Sequence, residues 1–196
     1  MALGTGALVA SVSAPARAHD RASLIEPTLR LSLATDQNRI VALTLDACSG
    51  GFDRKIIDAL IAWQVPATLF LTARWMRSNS DGLKIILEHP NLFTIGNHGD
   101  QHVAAILGSA TIFGVRTAGD GEGIKSEVIG GADALYKATG IMPKWYRGAT
   151  ALYSPQALPL IQSLGFSIRG FSLNADEGAS LSAMAVTDRM KRAQHG

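Results

Sequence analysis

Two histidines, His98 and His102, lie four residues apart, directly after an apolar segment that has the length of a β-strand. If His102 lies in the first turn of a helix and His98 lies on the loop before it, both imidazoles face one side and can reach a single metal ion. The alternative is an exposed loop whose two histidines are unrelated. The spacing by itself leaves both interpretations open.

Three further polar residues, Asp46, Arg147 and Asp176, come at or just after the end of an apolar segment of strand length. For Arg147 the alternatives are a surface salt bridge and a buried carboxylate partner, and its position beside Gly148 favours the buried partner. Asp176 is either a solvated acid in a loop or a residue that orients the metal ligands without binding the metal itself.

The elements that must position these residues alternate along the chain from Ile40 onward. Such alternation is typical of a parallel sheet with crossover helices, either an incomplete (β/α) barrel or an open doubly wound sheet, and both build their sites at the carboxyl ends of the strands. The glycine-rich segment 107–123 has no periodicity and is predicted to be a long loop. Predicted strands cover 40–45, 67–72, 92–95, 144–147 and 166–173, with a half-buried strand at 29–33, and predicted helices cover about 53–64, 83–87, 124–139, 154–165 and 182–192.

Composition limits the classes of protein to consider. With 196 residues, of which 47% are hydrophobic, the chain can form one sizeable core but not two large domains. The net charge of +2 and the absence of a basic run argue against a nucleic-acid partner. Cys48 is the single cysteine, which excludes an internal disulfide and a multi-thiolate zinc site, and it is interpreted as a small half-buried side chain.

The first 18 residues have the character of a processing signal. Residues 1–14 are small and apolar, and Ala16-Arg17-Ala18 forms an A-x-A cleavage site. A signal peptide over 1–18 predicts a secreted or periplasmic protein, although an ordinary apolar terminus is the alternative. No later segment has the length of uninterrupted apolar sequence that a membrane span requires.

Four ordered blocks of the sequence resemble the polysaccharide deacetylase family, the NodB-homology domains that remove acetyl groups from chitin-like and peptidoglycan sugars. The resemblance extends from about Ile40 to the end of the chain. Its blocks are Thr44-Leu45-Asp46-Ala47, which resembles T-F-D-D, Asn97-His98-Gly99-Asp100-Gln101-His102, which resembles N-H-[ST]-x-x-H, Tyr146-Arg147-Gly148-Ala149, and Asn174-Ala175-Asp176.

This resemblance implies an α/β fold, a distorted and incomplete (β/α) barrel, over a single domain at 19–196. It also implies a divalent metal, usually zinc, held by two histidines and an aspartate, which activates water for attack on an acetyl group. His98 and His102 match the metal ligands. Asp46 matches the general base and is a further candidate ligand, Arg147 matches the arginine that orients it, and Asp176 falls in the last aspartate motif.

Two positions depart from the family pattern. Ala47 stands where the family has its metal-binding aspartate, so Asp46 moves onto the metal, or the two histidines and water hold it, or the site is vestigial. The family's general-acid histidine belongs to a strand beyond Gly196, so the domain is expected to lack its last strand or strands.

The alternatives in function are a vestigial carbohydrate-binding barrel and an amidase for a small non-sugar amide. Trp75 and Trp145 are candidate sugar-contacting residues, although core packing is the commoner fate of tryptophan.

Overall fold

The computed structural model of the chain describes residues 23–31, 40–108 and 110–193. The predicted signal peptide, residues 1–18, and the domain boundary that follows it lie outside these ranges, so both stay predictions. Of the helices that the structure describes, none is both long enough and apolar enough to cross a bilayer.

The main sheet has five parallel strands within the described residues. In chain order they are β1 Leu43–Ala47, β2 Ala67–Leu71, β3 Phe93–Asn97, β7 Trp145–Tyr146 and β8 Ser167–Ile168. They lie side by side in the order β1-β2-β3-β7-β8. Strands β1 and β8 form its two edges, so the sheet is open and not a closed barrel. This confirms the predicted α/β fold with a parallel sheet.

Helices connect consecutive strands of this sheet, as the alternation predicts. The sequence gives no sign of the short helix α2, which Thr72 caps by accepting a hydrogen bond from the Trp75 backbone N–H at 2.9 Å. The helices are α1 Arg54–Ala62, α2 Ala73–Ser78, α3 Ser80–Leu87, α4 Gly121–Thr139, α5 Ala157–Ser163 and α6 Ala183–Met190.

Helix α1 shows how local sequence and packing agree. The Asp53 side chain accepts hydrogen bonds from the backbone N–H groups of Lys55 and Ile56, at 2.9 and 3.3 Å, and so satisfies donors that the first turn leaves free. Ile57 and Leu60 lie one turn apart and are buried against the sheet. The helix therefore starts where the sequence pattern predicts, while Ile56, which the pattern also places on the inward face, is exposed.

The prediction of a long loop over 107–123 is wrong. The segment belongs to a second, three-stranded sheet in the order β4-β6-β5, formed by Ala104–Leu107, Val115–Gly119 and Thr111–Ile112. Strands β5 and β6 form a hairpin whose two turn residues, Phe113 and Gly114, both have positive φ, 51° and 77°. This conformation matches the twist of a two-residue hairpin turn. A two-residue strand is too short to show alternation, which explains the error.

Two predicted strands are shorter or absent. Strand β8 covers only Ser167–Ile168 of the predicted 166–173. Of the half-buried strand predicted at 29–33, residues 29–31 are described and are not in a strand, while the remaining two lie outside the described ranges. The described part of this N-terminal segment pairs instead through Ile25, which forms an antiparallel bridge with Tyr153.

Helix α4 packs unusually closely on the loop that follows β3. A Cβ atom at Gly131 would lie 2.6 Å from the carbonyl carbon of Gly99, and still closer to Oδ1 of Asn97. Only glycine permits this approach, so Gly131 fixes the distance between α4 and the loop that carries both predicted metal histidines.

Gly131→Ala should lower the free energy of unfolding by about 1–3 kcal/mol, because the methyl group meets backbone atoms that cannot rotate away. Gly121→Ala is the matched control on the same helix, since its Cβ would meet Leu160 at an ordinary contact distance of 3.6 Å. Urea denaturation of both variants measures the difference. Equal effects of the two substitutions would contradict the close-approach explanation.

Candidate active site

The carboxyl ends of strands β1, β2, β3 and β7 meet at one rim of the main sheet. Backbone hydrogen bonds continue the parallel pairing there, from Thr72 N to Ala47 O at 3.2 Å, His98 N to Leu71 O at 3.0 Å and Arg147 N to Asn97 O at 3.0 Å. Asp46, His98 and Arg147, which are far apart in sequence, are therefore neighbours at this rim, as parallel topology requires.

The carboxylate partner of Arg147 is Asp46. Nη1 of Arg147 donates to Oδ1 of Asp46 at 2.9 Å and to Oγ1 of Thr44 at 2.9 Å. The arginine side chain is 3% exposed, whereas that of Asp46 is 31% exposed. A buried guanidinium thus holds a carboxylate that still faces solvent, and a surface salt bridge is excluded.

The rest of the guanidinium is also occupied. Nε donates to the carbonyl of Arg169 at 3.1 Å and Nη2 to the carbonyl of Gly170 at 3.0 Å. Its face lies 4.3 Å from the ring centroid of Phe70. Because four hydrogen bonds and an aromatic ring fix the group, Arg147 can hold Asp46 in one orientation.

His98 is buried, and its tautomer follows from its contacts. Nδ1 lies 2.6 Å from the carbonyl oxygen of Arg147. A carbonyl only accepts, so Nδ1 carries the proton and Nε2 presents its lone pair. Nε2 lies 3.4 Å from Sγ of Cys48, which places the lone pair toward that side chain.

His102 lies in a loop, so the prediction that it begins a helix is wrong. It has a positive φ of 64°, and strand β4 follows it. Its ring centroid nevertheless lies 5.1 Å from that of His98, so the two imidazoles do come together. Burial, reinforced by the neighbouring His98, lowers the pKa of His102 from 6.5 to about 4, and its imidazole is neutral at pH 7.

Glu127 of helix α4 holds the loop that carries His102. Its carboxylate accepts hydrogen bonds from the backbone N–H of Gln101 at 3.0 Å and of Val103 at 2.9 Å. Burial raises the pKa of Glu127 above its ordinary value, while these N–H donors act in the opposite direction. The left-handed conformation of His102, which is uncommon for a residue with a side chain, is thus stabilised from outside the loop.

Helix α2 holds the same loop from the other side. The backbone N–H groups of Ala73 and Arg74, at the start of the helix, donate to the carbonyls of Gly99 and Asp100, each at 2.9 Å. Gly99 itself has a φ of 94°, and a Cβ there would collide with the Glu127 carboxylate. The loop is therefore clamped between two helices, and glycine at 99 is required by both conformation and space.

Cys48, the first residue after β1, faces the two histidines. The donor atoms of Cys48, His98 and His102 all lie within 4.8 Å of one another, and these three residues are called the donor cluster below. Burial, with the carboxylates of Asp46 and then Asp176, raises the pKa of the Cys48 thiol from 9.0 to about 12. In this environment the thiol is protonated at pH 7 and can donate to Nε2 of His98.

The donor cluster fits a divalent metal ion of the zinc type. One sulfur and two imidazole nitrogens are a known zinc donor set, and three protein ligands leave one position open for water or substrate. Among the described residues Asp46 is not part of the donor cluster, and its carboxylate is hydrogen bonded to Arg147 instead. Ala47 packs against the apolar core cluster and has no donor atom.

The structure places the other predicted residues less centrally. Asp176 lies in an exposed turn, where its Oδ1 accepts from the Gly178 N–H at 3.1 Å, although its charge acts on Cys48. Trp75 is 4% exposed and belongs to the core, so its prediction as a sugar-contacting residue is wrong. Trp145 is half-buried and stacks against Arg169, 4.9 Å from its ring centroid.

Two residues of the site were missed by sequence reasoning. Glu127 had a detectable signal, because it falls on the same helical face as Ile124, Val128 and Leu135, where an acid has no place unless it has partners. Cys48 had a weaker signal, namely its position two residues after Asp46 at a strand end. Only the fold shows that it faces His98.

Glu127→Gln should lower the free energy of unfolding by about 1–3 kcal/mol, because a single neutral oxygen must then accept from both the Gln101 and the Val103 N–H groups, while the amide NH₂ replaces the oxygen that now accepts from Gln101. The matched control is Glu122→Gln on the same helix, whose side chain is 81% exposed and pairs with Lys125. The control should change stability by less than about 1 kcal/mol. Chemical denaturation of both variants distinguishes a clamp from a general charge effect, and equal losses would contradict the clamp.

Comparison with known proteins shows which family this chain resembles. The sequence profile described as "Polysaccharide deacetylase" matches residues 34–168. No curated protein sequence matches the chain significantly.

Solved structures share the fold at low sequence identity. A CE4 family pseudoenzyme from Bacillus anthracis is 17% identical with a TM-score of 0.65, over 82% of this chain and 53% of that one. A family 4 carbohydrate esterase from Streptomyces lividans, in complex with acetate, is 17% identical with a TM-score of 0.63, over 81% and 76%. The peptidoglycan deacetylase PdaC from Bacillus subtilis is also 17% identical with a TM-score of 0.63, over 81% and 72%.

The chain spans about half the length of the Bacillus anthracis protein that it resembles. The family profile covers well over half of the chain itself, and it includes the rim residues Asp46, His98, His102 and Arg147. The chain therefore belongs to the polysaccharide deacetylase family.

Proposed function

We propose that this chain is a metal-dependent hydrolase that removes acetyl groups from an N-acetylated polysaccharide, either chitin-like or peptidoglycan. The observation that carries the proposal is one rim where an arginine-held carboxylate, Asp46, adjoins two imidazoles, His98 and His102. Family membership supports a deacetylase. The Bacillus subtilis relative is a peptidoglycan deacetylase, and the Streptomyces lividans relative was solved with acetate.

His98 and His102 would hold the metal, for which zinc is the first choice. A divalent ion bound there would lower the pKa of water and polarise the acetyl carbonyl. Each histidine is prepared for this role by its own contacts: the Arg147 carbonyl directs the Nε2 lone pair of His98, and burial keeps His102 neutral.

Asp46 would act as the general base that takes the proton of the attacking water. Arg147 occupies only its Oδ1 within the described part of the chain, so Oδ2 is the oxygen that can accept the proton. The carboxylate is partly exposed, so water can reach it. Arg147 is a positioning residue in this scheme, since its contacts fix the orientation of Asp46 and it touches no reacting atom.

Asp176 has an electrostatic place in the proposal. Its carboxylate acts on Cys48 together with that of Asp46, so two negative charges act on the sulfur side of the donor cluster, while the positive charge of Arg74 acts on His102. We also propose that the protein is secreted or periplasmic, where its polymeric substrate lies. That proposal rests on residues 1–18 and is tested by the location of the mature protein after cell fractionation.

A vestigial site is the second candidate, favoured by one observation. Ala47 supplies no carboxylate where the family has a metal-binding aspartate, and the Bacillus anthracis relative is a pseudoenzyme. A mutant of that relative has restored enzymatic activity. The two candidates differ in one measurement, since a vestigial barrel would bind N-acetylglucosamine oligomers without releasing acetate.

The full chain with zinc should release acetate from N-acetylglucosamine oligomers or from peptidoglycan, and His98→Ala or His102→Ala should abolish both zinc binding and release. His89→Ala is the matched control, because that histidine lies outside the donor cluster and bonds the Ile85 carbonyl. Small acetamides form a third assay, since release only from them would indicate an amidase. Full zinc occupancy in both His variants would contradict the assignment of the ligands.

Asp46→Asn should lower acetate release by about 100- to 10,000-fold, because an amide cannot take the proton, while zinc affinity should change little. A loss of acetate release without a loss of zinc affinity distinguishes a general base from a metal ligand. If the variant lost zinc in proportion to rate, Asp46 would be a metal ligand instead. A variant that kept half of its rate would remove Asp46 from the mechanism.

A further inference from the structure

We propose that Cys48 is the third protein ligand of the metal site, in place of the carboxylate that Ala47 lacks, and that the site therefore selects thiophilic divalent ions. The inference rests on the proposed function for the existence of a metal at the rim. It adds a ligand that the family pattern does not supply and a class of ion that follows from it.

The position of the sulfur carries this proposal. Sγ lies 3.4 Å from Nε2 of His98, the nitrogen whose lone pair is free, and all three donor atoms of the cluster lie within 4.8 Å of one another. Ligands of one zinc ion lie about 2.0–2.3 Å from it, so donors at these separations can converge on a single ion with small adjustments.

Strand geometry explains why the side chain of Cys48, and not that of Ala47, faces the histidines. Side chains alternate along a strand, and Ala47, the last residue of β1, packs against the apolar core. Asp46 lies on the opposite face, toward Arg147, and continued alternation places Cys48 on that same face. Its side chain can therefore reach the histidines, which a side chain packed in the core cannot do.

The two residues that cap helix α2, Thr72 and Asn79, fix the loop that carries Cys48. Oγ1 of Thr72, which is fully buried, lies 2.6 Å from the Cys48 carbonyl and donates to it. Asn79 accepts from the Phe52 N–H at 2.8 Å and donates to the Gly50 carbonyl at 3.1 Å. The sulfur is thus placed by the fold and not by a free loop.

A nucleophilic thiol is the competing interpretation of a cysteine beside a histidine. Reactive cysteines lie in electropositive surroundings that stabilise the thiolate. Here the charges that act on the thiol are the carboxylates of Asp46 and Asp176, which oppose a free thiolate. The electrostatics of the pocket therefore favour a ligand over a nucleophile.

Coordination is balanced by the loss of one proton. The S–H bond breaks, its proton leaves to solvent, and the sulfur forms the bond to the metal without any change of oxidation state. A thiolate with two imidazoles suits zinc, cobalt(II) and cadmium, whereas magnesium and calcium require oxygen ligands. The site should accordingly reject magnesium and calcium.

Cobalt(II) titration of the full chain tests the ligand directly, because Cys48 is the single cysteine and any sulfur-to-cobalt charge-transfer band must come from it. The band should appear in the parent and be absent from Cys48→Ser. Zinc affinity of that variant should fall by about 100-fold or more, since even residues that only support a ligand contribute 10- to 100-fold. Zinc should also slow alkylation of the thiol in the unmutated protein, whereas magnesium should not.

The double variant Cys48→Ser/Ser49→Cys is the matched control, because it moves the thiol to the neighbouring exposed position and should not restore the band. A parent without the band, with equal zinc affinity in Cys48→Ser and no protection from alkylation, would overturn the proposal. So would acetate release that survives removal of metal and is lost on alkylation, since the thiol would then be a nucleophile. Conversely, if the chain showed the charge-transfer band but released acetate from no substrate, Cys48 would be confirmed as a metal ligand and the proposed hydrolase activity would be contradicted.

Discussion

The buried guanidinium of Arg147 is the constraint on which the rim depends. A charge taken out of water is tolerated only when it is paired and fully hydrogen bonded, and this one has Asp46 and Thr44 on one side and the carbonyls of Arg169 and Gly170 on the other. The first two belong to β1 and the last two follow β8, which are the opposite edges of the open sheet. One side chain therefore links the two edges of the sheet.

The same residue couples the two halves of the chemistry. Its side chain orients the carboxylate of Asp46, while its main-chain carbonyl accepts the Nδ1 proton of His98 and directs the Nε2 lone pair outward. The proposed base and the proposed ligand are thus positioned by one residue, which follows β7. A displacement of this strand end would disturb both contacts, so lysine, which has no planar fork, should be a poor replacement for Arg147.

The parts of the fold that sequence predicts are those that depend on local pattern. Long apolar runs identify β1 and β2, and the topology of parallel strands then brings Asp46, His98 and Arg147 to one rim. The parts that sequence misses depend on tertiary contacts. The conformation of His102 is held by Glu127 from a distant helix, and the hairpin of β5 and β6 is too short to show a period. The backbone of Cys48 is held by the buried hydroxyl of Thr72, which caps helix α2.

Each member of the donor cluster is held by protein contacts of its own, which bears on how tightly an ion can bind. His98 is fixed at a strand end, His102 in a loop clamped by Glu127 and the first turn of α2, and Cys48 in a loop bonded to Thr72. In metal sites that fold only on binding, part of the binding free energy is consumed in ordering the chain. Here the contacts within the folded chain already order the three residues before an ion binds. The affinity of the site should therefore depend on the number and kind of its ligands more than on the flexibility of its loops.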